Sequence, residues 1–225
     1  MKQIQLVIII LAAIIISAFP VKAESEFDGL SFDKIAQILD SRREEAKMGG
    51  PSYKISAFVI YDTQSLYISQ HDWNQLPNGF KERCKVVGIA LGYEKYRTLV
   101  MICDTREYTF QEAKEKFGYK LPSLRMLEEV KNSMFYLNLW EQRDGDEVYY
   151  TDSGYRFKGE LFEISKTVME PFLLDMYCWT SESVADAPNE AFAFNTHFRR
   201  ENKVAFQKRP IYDRLRVIPM ISLWE

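Results

Sequence analysis

Apolar residues recur along this chain in two rhythms, and the change between them divides it. In residues 31–48, Phe32, Ile35, Ile38 and Leu39 fall on one face of a helix with charged residues opposite. Ser31 is placed to cap that helix and Gly49-Gly50-Pro51 to stop it. A period of two takes over at 53–60, with 65–69 as the returning partner of a hairpin and Asp62-Thr63-Gln64 as its turn. Residues 70–80 are polar, hold Pro77 and Asn78-Gly79, and read as a loop. Two runs rich in β-branched residues, 85–91 (KVVGIAL) and 97–103 (RTLVMIC), predict a hairpin of buried strands bounded by Gly92 and Asp104.

The helical rhythm then returns. Thr109 and Glu112 have the spacing of a capping box, in which the Thr oxygen takes one orphan amide and the Glu reaches back for another. This helix runs to about Phe117 and ends at Gly118. Leu121-Pro122-Ser123 opens a second helix, since Pro122 holds Leu121 extended and Ser123 can cap. Leu124, Leu127, Val130 and Met134 mark its buried face. Residues 138–159 are irregular. Their spaced acids invite a calcium reading but lack the ligand order of an EF-hand loop, so a solvated loop is expected. Residues 161–174 predict a helix or helix–turn broken near Pro171. Four short strands follow, at 175–180, 191–198, 203–208 and 214–221.

Composition narrows the class. The 225 residues are 47% hydrophobic and 14% aromatic, enough for one core, and the 13 Tyr and 15 Phe suit an aromatic-rich β or α+β domain. The formal net charge of −3 offers no basic field for nucleic acid. Lys2 followed by the apolar run 6–19 and by Val21-Lys22-Ala23 predicts a signal peptide over 1–23, cleaved after Ala23; an uncleaved membrane anchor is the alternative. No cysteine follows the apolar run until Cys84, which argues against a lipoprotein anchor. The expected location is therefore periplasmic, cell-surface or secreted, with no stable membrane span after cleavage. Export permits disulfides. Cys84, Cys103 and Cys178 allow one intramolecular pair at most, or remain three buried thiols. With no CxxC and only His71 and His197, a structural zinc site is not expected.

Six segments in this order resemble a known family. They are TFQEA (109–113), KLPS (120–123), CWTSES (178–183), Ala191-Phe192, Lys208 and RVIP (216–219). The order resembles the bacterial Lcl C-terminal-like domains and the related major paralogous domains of Fibrobacter and Bacteroidetes surface proteins. KVVGIAL is similar to that family's first strand. The resemblance implies a C-type-lectin-like fold, shared with formylglycine-generating enzymes and retroelement-diversified binding proteins. That fold is α+β, with two helices packed on short antiparallel sheets and here an extra N-terminal helix. The implied organisation is a helix and linker over 24–50 and the domain over 51–225, with its core at about 85–221. The chain departs from the pattern at Lys120, at Met126 (where the family has a capping Glu) and at RVIP.

Enzymatic function is not expected. Formylglycine-type chemistry needs a redox-active cysteine pair near the C-terminus, where only Cys178 lies. His197 has no Ser, Cys or H-E-x-x-H partner nearby in sequence. Asp152 with Glu160, or Glu182 with Asp186, could pair as carboxylates, as surface acids often do by chance. Calcium-dependent sugar binding is disfavoured, because no E-P-N or Q-P-D occurs and Trp179-Thr180-Ser181 stands where W-N-D would be. The expectation is a non-catalytic binding or adhesion module without cofactor or metal, for a glycan or protein ligand; a structural envelope component is the alternative. The loops 181–189 and 196–202 are the expected contact region. Asn195, His197, Arg199, Arg200, Lys203, Lys208 and Arg209 form a local basic, hydrogen-bonding cluster there. Trp179 is either a plug of the core or a stacking platform for the ligand.

Overall fold

The first helix begins at its cap. Ser31 Oγ accepts from the backbone N–H of Lys34, and α1 (Phe32–Ser41) buries Ile35, Ala36 and Leu39. The computed structural model describes residues 25–47, 53–93, 96–137, 140–142, 155–157, 163–173, 176–196 and 206–223. The leader-like residues 1–23 and the Gly49-Gly50-Pro51 stop lie outside these. The single helix expected over 31–48 is two, because α1 gives way at Arg42 to the short α2 (Arg43–Lys47). Arg42 leaves helical geometry, and its guanidinium bridges the buried Asp72, 2.8 Å away, and Glu26. The apolar period continued through the break since both pieces bury their inward residues, Leu39 and Ala46.

β1 (Tyr53–Tyr61) returns as β2 (Gln64–Ser69) through the expected turn, with Asp62 at φ 51°. Residues 70–80 are not the expected loop. They fold into α3 (Gln70–Gln75) and the start of α4 (Asn78–Arg83). Ser69 Oγ caps α3 by accepting from Asp72 N at 3.0 Å. Trp73, Leu76 and Phe80 are buried at helical spacing on either side of Pro77, so the apolar period was present beneath the Pro and Asn-Gly signals. β3 (Cys84–Tyr93) and β4 (Tyr96–Met101) form the expected hairpin. Gly88 is required there, since a Cβ on it would stand 2.2 Å from the Val100 carbonyl oxygen.

The second half follows the predicted order. α5 (Phe110–Phe117) carries the complete capping box and ends at Gly118, whose φ of 53° suits a residue without Cβ. A 3-10 turn (Gly118–Lys120) leads to α6 (Leu124–Tyr136). Within the stretch expected as loop, β5 (Trp140–Gln142) pairs with β6 (Tyr155–Phe157); most of the spaced acids lie outside the described residues. α7 (Glu163–Met169) continues as a 3-10 turn (Glu170–Leu173). β7 (Tyr177–Ser183), β8 (Glu190–Asn195) and β9 (Phe206–Pro210) make a three-stranded antiparallel sheet. The last expected strand, 214–221, shortens to β10 (Met220–Ser222).

β10 joins the first sheet, which has the order β10-β4-β3-β1-β2 and is antiparallel throughout. One face of it carries Ile55, Ala57, Val59, Leu66, Ile68, Ile89, Leu91 and Val100, which form one core with α1, α6 and α7. Burying each such side chain contributes about 1.5–3 kcal/mol before entropy is counted. A second core lies around Tyr108, Phe110, Trp179 and Val217, between α5 and the three-stranded sheet. Residues 215–219 run between the sheets and bond to both sides. Leu215 exchanges hydrogen bonds with Tyr108, Arg216 O accepts from Trp179 N, and Pro219 O accepts from Met101 N. This divided pairing is why the segment is not one long strand. The architecture of the described residues is α+β. All three cysteines are free thiols; burial pushes Cys84 and Cys103 up to about 11 and Cys178 well above its ordinary value.

Candidate functional site

The motif segments, far apart in sequence, meet in space. The indole N–H of Trp179, in CWTSES, donates to the backbone oxygen of Tyr108 at 2.7 Å, one residue before TFQEA. Ser181 N donates to Pro122 O at 2.8 Å, tying CWTSES to KLPS. The capping Glu missing at Met126 is replaced from elsewhere: the Glu182 carboxylate, on β7, accepts from Leu124 N at 3.1 and 3.2 Å, while Ser123 Oγ accepts from Met126 N. Glu182 is thus a helix cap, and its negative charge sits favourably at the α6 N-terminus.

Trp179 is fully buried. It packs edge-on against Phe110 and lies over Ala191 and Ala193, whose small side chains leave room for the indole. Of its two readings, the structure shows the core plug; a ligand has no surface of this ring to stack on. The register places Asn195 opposite Tyr177 and Arg209 opposite Ala191, on the sheet face that carries Trp179. Arg209 reaches over that face to set its guanidinium 4.0 Å from the centre of the Tyr177 ring. This cation–π contact holds a guanidinium whose Nε is buried without a hydrogen-bond partner. Lys208 is exposed. His197, Arg199, Arg200 and Lys203 lie outside the described residues, so Asn195, Trp179 and Arg209 are the members of the expected ligand group that the structure brings together.

Sequence reasoning missed a groove beside that face. It has a volume of about 840 Å³ and is lined by Thr105, Arg106, Glu107, Tyr108, Glu112, Glu115, Lys116 and Arg214. Tyr108 is both its inner wall and the acceptor for Trp179, so the groove rests on the second core. Asp104 anchors one end. Its carboxylate accepts from Tyr108 Oη at 2.6 Å, Arg106 N at 2.6 Å and Lys116 Nζ at 3.0 Å. Lys116 also contacts Tyr108 Oη and lies 4.4 Å from the centre of that ring. At the other end Arg214 pairs with Glu112 and donates to Glu107 O. No periodic sequence signal marked Asp104, Tyr108 and Lys116, because Tyr108 stands before the Thr109 cap, outside the helix that carries Lys116. Only the fold adds Arg214.

The electrostatics fix what the groove can do. The hydrogen bond from Tyr108, helped by those from Arg106 and Lys116, holds the Asp104 carboxyl well below the usual carboxylate range. Lys116 is raised by its bonds to Tyr108 and Asp104 and stays charged. Glu112 is lowered, chiefly by the backbone N–H of Thr109. Asp104 and Glu112 are thus favoured as carboxylates and Lys116 as an ammonium. They present fixed charges of both signs and a phenol edge. Among the described residues no group of three or more His, Cys, Asp and Glu is arranged to hold a metal, and no helix is long and apolar enough to cross a membrane. No family model, curated protein or solved structure matches the chain.

Proposed function

We propose that the chain is an exported, non-catalytic ligand-binding module of C-type-lectin-like fold, divergent from the Lcl-like surface domains it resembles, and that its ligand is polar, a glycan or a protein segment. One observation carries this reading. Of the segments that bear the resemblance, CWTSES is hydrogen-bonded to KLPS and to Tyr108, the residue before TFQEA, and Tyr108 also lines the groove of fixed charges. A carboxylate held ionised at Asp104 and an ammonium held protonated at Lys116 favour recognition over catalysis. The second reading, a structural component of the cell envelope, is favoured by the amphipathic α1, which adds to the domain a packing element the resemblance does not require.

A glycan array probed with the purified chain separates the two. Binding to a restricted glycan set is expected, weakened about tenfold or more by Arg106→Glu, which reverses one groove charge that no helix cap depends on. A flat array would reject a glycan ligand. Binding that is unchanged by both Arg106→Glu and Arg209→Glu would reject the groove and the adjoining sheet face as its site.

A further inference from the structure

β1 and β3 run one row past the main core, and that row is aromatic. Ile55 and Leu91 are partners in the register and are buried; the next pair on the same face is Tyr53 and Tyr93. α6 packs over this face through Leu127, Val130 and Met134 and ends at Tyr136. Tyr136 lies flat against Tyr53, with ring centres 4.4 Å apart and planes 10° from parallel. Tyr93 meets Tyr53 at 5.0 Å with a tilt of 44°. Burial falls off outward: Tyr53 is half-buried, Tyr93 is 37% exposed and Tyr136 is 71% exposed. Scattered exposed rings need no explanation, but rings gathered in contact and left open to water mark a binding surface.

Shape and charge say what this surface suits. Tyr136 turns one ring face to Tyr53, so its exposed area is the opposite face and the edge, which makes a flat shelf rather than a cleft. The stack fixes the direction of the ring in advance, and tyrosine has few torsions left to freeze on binding. The shelf is neutral. Lys54, next to Tyr53, belongs to the opposite face of the sheet, and Gly92, next to Tyr93, has no side chain. One helical turn before Tyr136, the exposed Asn132 offers a neutral amide. Burial, with the neighbouring Tyr136 and Tyr93, pushes the Tyr53 phenol above its ordinary value, so its hydroxyl keeps its proton and both donates and accepts. A pyranose matches each of these features. Its C–H bonds carry slight positive charge and stack on the negative face of an aromatic ring, while its rim of hydroxyls meets phenols and an amide. A proline-rich peptide needs a groove between rings instead of a shelf.

We propose that Tyr136, backed by Tyr53 and flanked by Tyr93, is a stacking site for a neutral pyranose, with Asn132 as its polar contact. The shelf shares no residue with the groove, and neither reading depends on the other.

Saturation-transfer difference NMR of the full chain tests this with methyl β-glucopyranoside, methyl β-galactopyranoside, methyl α-mannopyranoside and N-acetylglucosamine as probes. With at least one of them, transfer is expected to concentrate on the C–H protons of one sugar face, with saturable shifts of the Tyr136 and Tyr93 ring protons. Tyr136→Ala, at an exposed position, keeps the fold and raises the apparent Kd about tenfold or more, as loss of an aromatic stack does elsewhere. Tyr136→Trp keeps a stacking face and holds the Kd within about threefold of the parent. The proposal is overturned if none of the sugars receives transfer, or if binding survives undiminished in Tyr136→Ala. Binding that survives there and is lost in Arg106→Glu assigns the sugar to the groove, which sinks the shelf and spares the groove. Should Tyr136→Ala fail to fold, ring-proton shifts of Tyr136 and Tyr93 that stay fixed in the parent while a sugar binds overturn it equally.

Discussion

Replacing Trp179 by Phe tests the packing on which the groove rests. The indole is fully buried, lies against Phe110, and donates to Tyr108 O at 2.7 Å. Truncating a buried Trp to Ala costs about 3–5 kcal/mol; Phe keeps one ring, so the packing loss falls to about 1–2 kcal/mol. The hydrogen bond adds about 1 kcal/mol. Its loss is not the full penalty of an orphaned acceptor, because Tyr108 O also accepts from Leu215 N at 2.9 Å. The sum is about 2–3 kcal/mol, which lowers the unfolding midpoint by about 5–10 °C for a chain of this size. Equilibrium unfolding in guanidinium chloride measures the first figure and calorimetry the second. A loss under about 0.5 kcal/mol, the range of ordinary surface changes, would refute the placement of Trp179 in the packed interior.

Gly88→Ala should destabilise by about 3 kcal/mol or more, because its Cβ meets backbone rather than a side chain that can move; a midpoint within 2 °C of the parent would contradict the close approach of β3 and β4. Asp104→Asn should lose stability chiefly above pH 5. The folded carboxyl is depressed, so its contribution is complete above the unfolded pKa near 4 and fades as pH falls through the folded value. A gap between the two proteins that stays constant from pH 7 down to pH 2 would disprove this. In native protein, Cys84 and Cys103 should alkylate slowly at pH 8, where about a thousandth of each is thiolate, and faster as pH climbs toward 11; rates equal to those of the unfolded chain would show the thiols to be unburied.

What could be read from sequence was local. The Thr109 capping box, the Leu121-Pro122-Ser123 helix start, the Gly118 stop and the two hairpins depend on residues within a few positions of one another, and each stands where its pattern put it. What escaped depends on residues that meet across the fold. Glu182 caps a helix 58 residues earlier in the chain, and no window on either segment contains both. Arg214 reaches the groove from more than 100 residues beyond Glu112. Between these extremes lie α3 and α4, where the buried Trp73, Leu76 and Phe80 outweighed the turn signals of Pro77 and Asn78-Gly79. Trp179 illustrates the limit well. Its own segment left both a core plug and a stacking platform open, while Ala191 and Ala193, which make space for it in the core, sit on a neighbouring strand.

The segment 215–222 also sets a clock. It holds together groups as far apart as Cys103 and Val217, 114 positions in the chain, and supplies the outer partner of β4. Until it has been synthesised, β4 carries a bare edge and the Trp179 amide has no acceptor. At the usual 5–20 residues per second, roughly 6–24 s pass between completion of β4 and arrival of β10. Through that interval the two halves of the polypeptide cannot lock. The nascent chain stays loose enough to be threaded, and it exposes an unpaired strand that invites aggregation. Moving these eight residues to the front of the gene, through a circular permutation, would remove the delay while leaving the finished contacts unchanged.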